Sequence, residues 1–105
     1  MATNRLELLK QMVGKDPANS FARYGLAMEL ANNGALEEGA GEFRALLERD
    51  ENYAAAYFHL GQALEKLGEL DEARAVYEKG IEVTTRRGDL HTRAEIEAAL
   101  NTLPV

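Results

Sequence analysis

His59 and His91 are the two histidines of this 105-residue chain and the first residues to test for metal or acid–base chemistry. A zinc site needs about three or four converging ligands, and neither histidine has a second His or a compact set of carboxylates at converging spacing. Structural or surface roles are the simpler expectation for both. Glu37-Glu38 and Glu69-Asp71-Glu72 resemble acid/base pairs on paper. They stand where helices are expected to begin, and there a carboxylate complements the helix dipole without any raised pKa. Gly39-Ala40-Gly41 lacks the preceding strand and the Lys-Ser/Thr of a phosphate loop, and Ser20 has no evident base partner. These residues therefore predict no catalytic constellation, no cofactor and no metal.

Charge narrows the classes of partner. Twelve Lys+Arg against eighteen Asp+Glu give a net charge of -6, the wrong sign for displacing counterions from a phosphate backbone. The one adjacent basic pair, Arg86-Arg87, is too short to track phosphates. No cysteine is present, so disulfides, thiolate metal sites and cysteine nucleophiles are excluded together. The first ten residues are broken by charges and lack the apolar run of a signal peptide. No window approaches the ~18–20 apolar residues of a membrane span. A cytoplasmic protein with neither a nucleic-acid nor a membrane partner is expected.

The elements that must position any site are helices. Apolar residues step by three or four along Leu6, Leu9 and Val13; Ala22, Leu26 and Leu30; Phe43 and Leu47; Leu60 and Leu64; Ala73, Tyr77 and Ile81; and Ile96, Leu100 and Leu103. Each set is one apolar stripe of a helix. Asn33-Gly34 and Gly68 end long helix-compatible runs, as left-handed C-terminal residues do. Asn4 with Glu7 is spaced as a capping box, and Asp89 suits an N-cap. Six helices follow, over roughly 4–14, 19–33, 36–49, 53–67, 70–86 and 89–102. Their short connections require antiparallel hairpins.

Residues 17–50 match 51–84 at an offset of 34 with seven identities: Ala22/Ala56, Leu26/Leu60, Leu30/Leu64, Gly34/Gly68, Leu36/Leu70, Glu38/Glu72 and Glu48/Glu82. Chance gives roughly two or three for ordinary segments of this length. The same offset carries Leu9 and Val13 onto Phe43 and Leu47, so the first helix is a half-repeat matching the second helix of each hairpin. Small residues (Ala27 or Gly61 facing Gly39 or Ala73) are expected to let the paired helices approach closely, with Phe43 or Tyr77 filling the space beside them. Gly39 and Gly41 each cost about 1 kcal/mol relative to Ala inside a helix, which makes the first hairpin the weaker unless close packing compensates.

A unit of this length reading Tyr57-x2-Leu60-Gly61-x2-Leu64, then Gly68, Leu70-Asp71-Glu72-Ala73 and Tyr77, resembles the tetratricopeptide repeat. The first unit departs further, with Arg23 at the large aromatic position, Ala27 for Gly, Gly39 for Ala and Glu51 for Pro. The resemblance implies an all-α fold in which antiparallel helix hairpins stack as a short right-handed solenoid. Residues 1–105 would form a single domain: a half-repeat helix over 4–16, repeats over 17–50 and 51–86, and a capping helix over 89–103.

The resemblance also implies a non-catalytic interaction module whose first helices line a concave groove. Its groove positions would be Phe21, Tyr24, Met28 and Asn32 from one unit, and Ala55, Phe58, Gln62 and Glu65 from the other, with His59 at the edge. Members that capture a C-terminal carboxylate use Lys, Asn and Arg there. The matching positions hold Tyr24, Met28 and His59, so that clamp is absent. A protein or peptide partner of basic or apolar character is the better electrostatic match. The rival reading is a scaffold that forms a homodimer through its terminal helices, because Leu6, Leu8, Leu9 and Met12 place apolar groups on more than one face of the first helix.

Overall fold

A computed structural model describes residues 4–104, which form six helices and no strand. They are α1 (Arg5–Lys15), α2 (Ser20–Asn32), α3 (Leu36–Arg49), α4 (Ala54–Lys66), α5 (Leu70–Arg87) and α6 (Leu90–Asn101). The termini follow from local chemistry. Asn4, Asn19 and Asp89 each accept a hydrogen bond from the backbone N–H three residues on, which satisfies one orphan donor of α1, α2 and α6. Helices α3 and α5 have no side-chain cap and instead carry Glu37-Glu38 and Asp71-Glu72 in their first turns, where negative charge meets the dipole.

Helices α2, α4 and α5 end alike. Gly34, Gly68 and Gly88 take positive φ values of 88°, 79° and 70°. The next residue in each case donates its N–H five residues back, Ala35 to Leu30 O, Glu69 to Leu64 O and Asp89 to Thr84 O, all at 2.9 Å. That is a Schellman closure, which an L side chain in the left-handed region would strain. Helices α1 and α3 stop instead at Asp16 and Asp50, both extended, whose carbonyls accept from Asn19 N and Tyr53 N. The turns therefore also follow the 34-residue offset, except that the longer α5 ends on Gly88.

The hairpins are α2/α3 and α4/α5, and the first helices form one layer, since α4 touches both α2 and α6. The second helices α1, α3 and α5 keep their backbones apart, although the exposed Arg44–Glu72 ion pair bridges α3 and α5 at 2.8 Å. Helices in contact on one side and splayed on the other make a curved stack, and the array spans 46 × 28 × 20 Å. The main core joins Phe43, Leu46, Tyr57, Leu60, Leu64, Tyr77, Val83 and Ile96, and a satellite core of Leu9, Leu26 and Leu30 sits under α1.

Small residues set the helix spacing, although not everywhere as expected. A Cβ on Gly39 would stand 3.1 Å from Ala27 O and from Ala31 N, so α2 and α3 do approach through the Ala27/Gly39 pair. On Gly61 the facing group is the Tyr77 ring rather than Ala73. Gly80, aligned with Leu46 by the offset, is a further close approach, against Tyr57 and Ile96. Gly41 is different: a Cβ there meets nothing within 4 Å. Gly41→Ala is therefore expected to stabilise the chain by up to about 1 kcal/mol. Thermal unfolding should show the midpoint rising by about 4–8 °C, whereas Gly39→Ala should bring no such gain.

Arg23, where the repeat pattern asks for an aromatic, has a structural counterpart in the second hairpin. Tyr57 donates its hydroxyl to Glu51 O at 2.7 Å. Arg23 donates Nη2 to Pro17 O at 3.2 Å, and Pro17 is the residue that the offset carries onto Glu51. Its Nη1 also pairs with Glu42 of α3 at 2.7 Å.

Candidate functional site

The inner layer contains an aromatic cluster built from three elements. Tyr24 of α2 lies 5.1 Å from Tyr53, 5.9 Å from His59 and 6.1 Å from Phe43, measured between ring centroids. His59 of α4 stacks on Phe43 at 6.3 Å and meets Phe58 edge-on at 5.1 Å. At these separations the rings pack against one another. They do not surround an open cage. Burial lowers the pKa of His59, only partly offset by the Glu95 carboxylate of α6, so the imidazole is neutral near pH 7. Burial, with Tyr53 and Glu95 adding to it, raises the pKa of Tyr24.

The nine groove candidates divide into three groups. Phe21, Tyr24, Met28 and Asn32 share one hollow of about 520 Å³, whose other wall is α1 with Arg5, Leu8, Leu9 and Met12. Phe21 is 76% exposed, the most exposed large apolar side chain among the described residues. Met28 and Asn32 also border a much smaller hollow, of about 40 Å³, with His59 and Gln62. Ala55, Phe58 and Glu65 line neither hollow. Ala55 and Phe58 are half-buried.

Glu65 is held from behind, because the hydroxyl of the fully buried Tyr77 donates to its carboxylate. Burial and that hydrogen bond together raise the tyrosine pKa. In the first hairpin the equivalent positions are Ala31 and Phe43, so carboxylate and hydroxyl are present together or absent together. Two residues outside the nine candidates also face this side, Tyr53 through its ring and Glu95 through its charge. Aligning the N-cap Asp89 with Tyr53 brings Glu95 onto His59, and that register was the signal available for it.

No three His, Cys, Asp or Glu side chains converge among the described residues as a metal site would require. His91 reaches only Glu95, at 3.7 Å on an exposed helix face. Among the described residues, no helix is long and apolar enough to cross a membrane.

Comparison with known proteins extends this geometry. The sequence pattern of the tetratricopeptide repeat matches residues 24–89. A TPR repeat-containing protein of Pseudomonas aeruginosa is 30% identical over 98 residues, 93% of each chain. The solution structure of a tetratricopeptide repeat domain protein from Salinibacter ruber superposes with a TM-score of 0.78 at 33% identity, covering 84% of this chain and 89% of its own. A Bordetella parapertussis protein gives 0.84 at 26% identity, over 97% and 89%. The type III secretion translocator chaperone of Yersinia enterocolitica shares the fold, with a TM-score of 0.87 at 16% identity over 93% of this chain and 68% of its own.

Proposed function

This chain belongs to the tetratricopeptide repeat family, and from that premise we propose that it binds a segment of another protein along the inner face of α2 and α4. Membership makes it a protein-interaction module built on an all-α repeat solenoid. The finer reading is supported by the hollow that Phe21, Tyr24 and Met28 line. An exposed phenylalanine beside a methionine is costly to leave in water and suits an apolar anchor of a partner. Glu65 and Glu95 border the inner face, which favours a segment that carries basic residues among its apolar ones.

The test begins with affinity capture and mass spectrometry to identify a partner segment, followed by titration. Phe21→Ala combined with Met28→Ala should weaken binding about tenfold or more and leave the helical circular dichroism unchanged. An unchanged affinity would remove the groove assignment. Self-association is the second reading, and the observation favouring it is the exposure of Leu8 and Met12 on α1.

A further inference from the structure

The outer stripe of α1 makes a second surface, which joins the inner face of α2 across the hollow that both border. Arg5, Leu8, Met12 and Lys15 are spaced i, i+3, i+7 and i+10 and so share one helix face. Leu8 is 51% and Met12 37% exposed, and both line the hollow beside Phe21. Among the described residues α1 packs on α2 alone.

The internal repeat indicates what such a stripe is built to face. The offset carries Leu9 onto Phe43 and Tyr77, and Met12 onto Leu46 and Gly80. In α5 the Gly80 position is enclosed on two sides, by Tyr57 from the first helix of its own hairpin and by Ile96 from the first helix that follows. Leu46 of α3 is likewise buried, 1% exposed. In α1 the helix that follows is α2, and no described residue packs on the other side. The group that fits there is a helix of the α2/α4 kind, antiparallel to α1.

Charge selects among the helices that fit. Helix α1 carries Arg5, Lys10 and Lys15 against Glu7, a formal +2 in a chain of -6. Arg5 is paired with Glu29 at 2.9 Å, which leaves Lys15 as the cation at the far end of the stripe. An antiparallel helix would set its N-terminus beside Lys15, and acidic residues in its first turn would meet both that lysine and its own dipole.

A second copy of this chain fits poorly. Placing two α1 stripes face to face brings their cationic ends together. Stacking head to tail would offer α6, where Tyr57 and Gly61 are matched by Arg93 and Glu97, an ion pair at 3.4 Å, against Leu9 and Met12. We infer that the Arg5–Leu8–Met12–Lys15 face of α1 seats an amphipathic helix of a partner protein, one with acidic residues in its first turn, and so completes a hairpin in trans.

The probes are two synthetic peptides of residues 53–68, one preceded by two Glu and one by two Lys, titrated into the isotope-labelled full chain. The Glu peptide is expected to shift the amides of Leu8, Met12 and Phe21 and to bind about tenfold more tightly than the Lys peptide. Lys15→Glu should reverse that preference. Leu8→Glu with Met12→Glu should abolish binding and keep a cooperative melt, because both side chains are already exposed. Failure to bind at millimolar peptide, shifts confined to Phe58 and Gln62, or a preference unmoved by Lys15→Glu would overturn the inference. A sedimentation dimer of the unliganded chain that Leu8→Glu with Met12→Glu dissociates would overturn it too, by assigning the face to a second copy. Lys15→Glu changes no residue that lines the hollow of Phe21, Tyr24 and Met28, so a partner segment held on the inner face of α2 and α4 would still bind that variant.

Discussion

Gly61→Ala should lower the thermal midpoint of this chain by about 10 °C, the largest effect expected of any single methyl addition described above. The added Cβ would lie inside the Tyr77 ring envelope, 2.5 Å from Cζ and 2.6 Å from Cδ1. Tyr77 is fully buried, and its hydroxyl is tied to Glu65 on the same helix as Gly61, so the ring cannot swing clear. Overpacking a dense core costs typically about 1–3 kcal/mol. This site belongs at the upper end, while the better helix propensity of Ala returns about 1 kcal/mol. The net loss of about 2 kcal/mol corresponds to roughly 8–16 °C in a domain of this size. Tyr77→Phe releases the ring from Glu65, so the double variant should lose less than the sum of the two single losses. Calorimetry of the four proteins measures this directly, and strict additivity would mean that the tether does not hold the ring over Gly61.

Gly80→Ala strikes the junction of three helices. Its Cβ would stand 2.7 Å from Tyr57 Cβ and 2.9 Å from Ile96 Cδ1. The isoleucine methyl can rotate away, but the tyrosine Cβ is fixed to the backbone of α4, so α5 must retreat from it. A net loss of about 1 kcal/mol follows after the propensity gain. It should fall unevenly, because Ile96 is the one buried residue within α6. Hydrogen exchange should show α6 amides opening well before those of α2 and α3. Uniform acceleration along the chain would place the strain elsewhere.

The helices were legible in the sequence because stripe spacing, Asn and Asp caps and glycine stops all agree, and the structure moves their ends by only a residue or so. The glycines inside helices were harder to read. Gly39 and Gly41 look alike as letters, yet one faces α2 at contact distance and the other faces nothing, a difference that depends on rotation about the helix axis. Gly80 carried a signal, a glycine opposite Leu46 in the repeat, but its meaning needs the position of Ile96 in the following helix. For the candidate site, residue type and offset were enough to nominate Phe21, Tyr24 and Met28. They could not indicate that α1 forms the opposite wall of the same hollow, since that follows from the crossing of two helices. Nor could they indicate that Glu65 is occupied by a core tyrosine, since its partner lies twelve residues away on the next helix.

The pairing of Arg23 with Pro17 and of Tyr57 with Glu51 bears on how degenerate repeats are detected. Two side chains with nothing in common in shape or charge deliver a proton to the same carbonyl at the mouth of successive units. A search profile that rewards aromaticity at that position penalises the first unit, while one that rewards a long donor scores both alike. Repeats that conventional profiles leave unmatched at the head of such arrays would then be recovered by asking which main-chain oxygen needs a partner.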